Sequence, residues 1–84
     1  MITILYFARL RESLGRSSEQ LDLPAGVRDI AALRQWLAQR GGAWTDELGA
    51  GKNVRAAVNQ TMARGDEPLR SGDEVAFFPP VTGG

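Results

Sequence analysis

The sequence contains no cysteine and no histidine in its 84 residues. Their absence excludes a disulfide scaffold, a Cys or His metal site, a Cys or Ser–His nucleophile and a histidine general base. Net charge is missing too, because ten Arg plus Lys balance ten Asp plus Glu. That balance argues against a dedicated nucleic-acid binder, which gathers a basic excess on one face. No apolar run is long enough to span a membrane. Met1 to Phe7 is apolar, but it is shorter than a signal h-region and no basic segment precedes it. The expectation is a soluble, cytoplasmic protein with neither nucleic acid nor membrane as partner.

What remains is the composition of one small globular domain, with 43% hydrophobic and 24% charged residues. Ile2 to Ala8 reads as a strand, with Ile2, Ile4 and Tyr6 on one face and Thr3, Leu5 and Phe7 on the other. Arg9 to Gly15 has room for one helical turn, and Glu19 to Leu23 alternates as a second strand. Asp29 is placed to cap a helix over Ile30 to about Arg40, whose Ile30, Leu33 and Leu37 form an apolar stripe. Gly41-Gly42 stops it, and Ala43 to Leu48 fits a further short helix, with Ala43 or Thr45 near its start. Val54 to Asn59 reads as a third strand, Ala63 to Asp73 as turns, and Glu74 to Phe78 as the last strand, ended by Pro79-Pro80.

This order predicts an α+β fold of the β-grasp (ubiquitin-like) kind. It has a mixed sheet of about four to five strands, the first and last central and parallel, and one main helix on one face. A ferredoxin-like split βαβ is the competing fold. It needs a second full helix near residues 60–70, where Gly, Asp and Pro oppose one. The expected division is a domain over 1–78 and a tail over 79–84.

Side chains offer little chemistry. Asp66-Glu67 and Asp73-Glu74 fall in turns and read as solvated charges, as does Arg64-Gly65-Asp66. Lys52, the only lysine, sits in a Gly-rich loop without the strand–loop–helix context of a phosphate site. The C-terminus differs. Pro79-Pro80 launches Val81, Thr82, Gly83 and Gly84, and six residues extend roughly 20 Å at ~3.3–3.6 Å each. Glycines pass a narrow channel and can present a terminal carboxylate to another protein's reactive centre. A frayed end is the alternative. A carboxylate reacts only once activated, as ATP does by forming an acyl-adenylate. Sulfur attack on the adenylate then gives a thiocarboxylate, and amine attack gives an amide.

Three segments carry a resemblance: Tyr6 to Glu12, Ala57 to Thr61, and the block from Gly72 to Gly84 that ends Phe-Phe-Pro-Pro-Val-Thr-Gly-Gly. The chain resembles, over its whole length, the molybdopterin synthase small subunits, the MoaD-type sulfur carriers. From Ser17 to Gly51 only the pattern matches. The resemblance implies that Gly84 is adenylated by an E1-like adenylyltransferase, which consumes ATP, and that a sulfur donor converts it to a thiocarboxylate. The tail then enters the large subunit, which supplies the catalytic side chains. There it gives sulfur to precursor Z (cyclic pyranopterin monophosphate), building molybdopterin for the molybdenum cofactor. No bound cofactor is implied, and the family's assembled synthase is a heterotetramer.

The resemblance also implies an apolar partner surface at Phe7, Met62 and Phe78, beside tail residues Pro80, Val81, Thr82 and Gly83. The strand alternation agrees in part: one of Phe77 and Phe78 can enter the core while the other stays out. Phe7 and Phe78 as plain core aromatics is the opposing reading. At position 62 the family usually has an aliphatic residue, and methionine suits an adaptable contact. Arg11 is a candidate for pairing with a partner's acidic groups or a solvated arginine. Two other functions stay open: carrier chemistry aimed elsewhere (thiamine-type sulfur delivery or conjugation to lysines), and a β-grasp interaction module with an inert tail.

Overall fold

A computed structural model describes residues 1–80. The expectations for Val81, Thr82, Gly83 and Gly84 lie outside the described residues. The elements in chain order are β1 (Ile2–Tyr6), α1 (Arg9–Leu14), β2 (Ser18–Leu21), α2 (Ile30–Ala38), α3 (Ala43–Leu48), β3 (Arg55–Val58), β4 (Thr61–Ala63) and β5 (Glu74–Phe78). The five strands form one mixed sheet in the order β2-β1-β5-β3-β4. β1 and β5 pair in parallel at its centre, with Tyr6 beside Phe77, and every other pairing is antiparallel. This is the β-grasp arrangement.

Strand alternation sorts the residues onto two faces. Ile2, Ile4, Tyr6, Ala56, Val75 and Phe77 point to the side covered by helices. There they join Leu10, Ile30, Leu33, Leu37 and Leu48 in one core. Phe77 is the core member of the Phe77–Phe78 pair, fully buried and stacked on Tyr6 at 6.4 Å between ring centroids.

α2 starts where Asp29 caps it, its Oδ1 accepting from the Ala32 N–H at 2.8 Å. The next two free N–H groups donate to the 64–69 segment: Ile30 to the Glu67 carbonyl and Ala31 to the Gly65 carbonyl. The turn-rich stretch is thereby laced to the helix, and its Leu69 enters the core.

Several boundaries differ from the sequence reading. β1 ends at Tyr6 rather than Ala8, because Ala8 takes a positive φ of 55°, a backbone region that costs a non-glycine residue about 1–3 kcal/mol. β2 runs from Ser18 to Leu21 rather than to Leu23, and α2 stops at Ala38, short of Arg40. α3 does begin at Ala43, and the Thr45 hydroxyl in its first turn donates back to the Ala38 carbonyl at 2.6 Å. β4 is the element that the residue pattern did not reveal. Asn59 and Gln60 both adopt positive φ (49° and 70°) and close a two-residue hairpin between Val58 and Thr61.

On the helix side, Glu19 of β2 is held by Arg40 through two bonds of 2.9 and 3.0 Å and accepts from the Tyr6 hydroxyl at 2.7 Å. Arg40 also lies 4.5 Å from the Trp44 ring centroid and 5.2 Å from that of Trp36. This cluster fastens the edge strand to both helices. Burial alone pushes the Glu19 carboxyl up, but the bonds from Arg40 and Tyr6 and the charges of Arg40 and Arg16 outweigh it and hold it below the usual range. Burial, then the hydrogen bond and charge of Glu19, push the Tyr6 phenol up.

The linkage signs follow. The Glu19 contribution is complete above the ordinary glutamate value of about 4.3 and is lost as pH falls through the lowered native value. The Tyr6 contribution is complete below about 10 and is lost above it. Glu19→Gln should cost about 1–2 kcal/mol at neutral pH and flatten the acid limb of stability. Urea unfolding across pH 3–7 checks both effects.

Candidate functional site

The outer face of the sheet carries no helix among the described residues. Strand register aligns Ser18, Leu5, Ala76, Ala57 and Met62 in one row across all five strands. Phe78 lies opposite Arg55 in the next row. Phe7 continues past the end of β1, where its N–H donates to the Phe77 carbonyl at 3.1 Å. The small residues Ala57 and Ala76 make the floor of this apolar face, and Leu5, Phe7, Met62 and Phe78 stand around it. Ala57 is only 8% exposed although it is outside the core cluster.

Phe7 is 46% exposed and Met62 59%. An apolar group in water on this scale, clustered on one face, marks a surface that other molecules cover. Phe78 and Pro80 are half-buried, so Phe78 lines the face without leaving the fold. Glu74 and Arg55 bound the face, and alanine, leucine, phenylalanine and methionine fill its middle. Its apolar side chains are those of a binding surface.

The structure therefore brings Phe7, Met62 and Phe78 onto one face beside the exit of β5. It does not bring Arg11 into either row. Arg11 lies exposed in α1, and its side chain has no hydrogen bond or ion pair among the described residues. Gly84, Gly83, Thr82 and Val81 lie outside the described residues. Sequence reasoning did not single out Ala57 and Ala76. Their signal was available in the alternation Val75-Ala76-Phe77-Phe78, which puts Ala76 and Phe78 on the same side. The hairpin at Asn59-Gln60 then sets Met62 opposite Ala57, a pairing that only the structure reveals.

A five-stranded β-grasp with a bare apolar sheet face beside its last strand is a ubiquitin-like protein. Residues 4–84 match the ThiS family, and the chain belongs to it. It is 48% identical over 84 residues to a molybdopterin synthase sulfur carrier subunit of Escherichia coli K12, and 42% identical to one of Haemophilus influenzae. Both alignments cover all of each chain. Among solved structures it is similar to a Pyrococcus furiosus protein described as molybdopterin converting factor, subunit 1. That match has a TM-score of 0.77 and 35% identity, over 95% of this chain and 97% of the other.

Core and outer-face residues around β5 should separate in stability measurements. Phe77→Ala should cost about 3–5 kcal/mol, whereas Phe7→Ser and Met62→Ser should stay within about 0.5 kcal/mol of the parent. Urea denaturation followed by far-ultraviolet circular dichroism reads the difference.

Proposed function

We propose that the chain is the sulfur carrier subunit of a molybdopterin synthase. The observation that supports this most is its end-to-end identity with proteins of that description. Side chains supply recognition and the main-chain terminus supplies the chemistry. An E1-like enzyme transfers AMP from ATP to the Gly84 carboxylate, releasing pyrophosphate. A sulfur donor displaces AMP, and the carboxylate becomes a thiocarboxylate. The large synthase subunit covers the outer sheet face through Phe7, Met62 and Phe78, and draws in the end of the chain. Sulfur then passes to the pyranopterin precursor on catalytic groups of that subunit.

Each feature of the chain fits one of these steps. The apolar face gives a partner a desolvated grip. Pro79 and Pro80 have fixed φ and donate no backbone N–H, so they end sheet pairing where the tail must leave. Glycines at 83 and 84 leave no side chain to obstruct a narrow entry. We place the reaction in the cytoplasm. Among the described residues no helix is long and apolar enough to cross a membrane.

Intact mass spectrometry after incubation with ATP, the activating enzyme and a sulfur donor should show a gain equal to the difference between a sulfur and an oxygen atom. An unchanged mass with active enzymes would overturn the carrier reading. An isopeptide-linked ladder in its place would assign the chain to protein modification. Deleting Gly83 and Gly84 should abolish molybdopterin formation without lowering the melting temperature. Phe7→Ser and Met62→Asp should each weaken large-subunit binding by about fivefold or more, as titration calorimetry would show.

A further inference from the structure

The five strands hold only three charged residues, Glu19, Arg55 and Glu74. Glu19 is turned to the helices and paired with Arg40. The other two lie on the outer face. Strand register sets Arg55 opposite Phe78, and Glu74 shares the parity of Ala76 and Phe78 along β5. Neither side chain has an ion pair or a hydrogen bond among the described residues. Asp73, next to Glu74, is already engaged: its carboxylate accepts from the Asn59 amide at 3.0 Å and from the Arg70 N–H at 2.8 Å.

Arg55 and Glu74 cannot satisfy each other. Glu74 precedes Phe78 by roughly 13 Å along β5, and Arg55 stands about 5 Å across on the next strand. That separation is well beyond the ~4 Å of an ion pair. Arg55 marks the end of the sheet where Pro79 follows β5, and Glu74 marks the opposite end. Arg64 follows Ala63 of β4, whose register partner is Ala56, so a second arginine without an ion pair among the described residues falls at the Arg55 end. The face is positive where β5 finishes, apolar in its middle and negative where β5 begins.

Leu5, Phe7, Met62 and Phe78 supply adhesion, but apolar burial has no direction. A partner held by them alone could sit in either sense along the strands. Charges fix the sense: a like charge set against Arg55 or Glu74 costs affinity, and a complementary one is steered into place. Covering Arg55 without an anion would also leave a guanidinium out of water and unpaired.

We propose that Arg55 and Glu74 are the orienting charges of the outer face. The large synthase subunit meets them with a carboxylate beside Phe78 and a cation beyond Ala76. Docking in that sense always brings the end of β5 to the same place on the partner. The partner's identity rests on the carrier reading; its charge pattern rests on Arg55 and Glu74.

Titration calorimetry with the large subunit tests the pattern. R55E and E74R should each weaken binding by about tenfold. The double change R55E/E74R keeps the net charge at zero, yet it should weaken binding by about a hundredfold, because sites this far apart act independently. R28E makes the same charge change as R55E at an exposed position in the loop before α2, and it should leave the affinity unchanged. The neutral variants R55Q and E74Q should lose about threefold each without adding repulsion. Thermal melting shows that each variant is folded. Parent-like binding by the double variant, or a loss with R28E equal to that with R55E, would mean that net charge alone acts and would overturn the proposal. Parent-like binding by both R55E and E74R would overturn it as well. Met62→Asp separates the two readings. If it weakens binding while R55E and E74R do not, the carrier's apolar face stands and its orienting charges fall. If the parent chain does not bind the large subunit, both fall.

Discussion

The parallel pairing of β1 with β5 is the constraint from which the rest of the molecule follows. Placing Tyr6 beside Phe77 sends both rings to the helix side. The same pleat sends Leu5, Ala76 and Phe78 to the outer face. A slip of one residue would exchange the two sets, because side chains alternate with a period of two. It would bury Ala76 where Phe77 fills the core and expose Val75 to water. One register therefore specifies the core and the binding face together. It also directs β5 so that Pro79 follows Phe78 away from the sheet beside that face.

Much of this was readable in the residues. Asp29 marked the start of α2, and Ile30, Leu33 and Leu37 marked its buried stripe, because capping and helical spacing are local properties. The central position of the first and last strands followed from their apolar content and the element order. The hairpin to β4 was hidden because its turn is Asn59-Gln60, and glutamine is a rare occupant of left-handed backbone. Without that hairpin, Met62 had no place on a face except by resemblance. The choice between Phe77 and Phe78 depended on which parity of β5 faces the helices, a property of packing that the two adjacent phenylalanines do not reveal. The Glu19–Arg40 pair spans 21 residues of sequence, so no local pattern announces it.

The two sides of the sheet divide the work. On the helix side, carboxylate, guanidinium and aromatic groups satisfy one another and hold β2, α2 and α3 together. The outer side stays apolar and unpartnered among the described residues, and it is the surface that the proposed large-subunit contact would cover. A chain with no cysteine and no histidine is suited to this role. It brings no thiol or imidazole of its own to the terminus on which the proposed chemistry takes place.

Both of the chain's tryptophans, Trp36 and Trp44, flank Arg40, and neither lies on the outer face. The molecule thus carries its own optical gauge on one side only. Intrinsic fluorescence reports whether the helices still grip the edge strand, and it is blind to a protein settling on the bare sheet. A carrier passing between partners would keep a constant emission spectrum, and a change in that spectrum would mean that the fold itself had loosened.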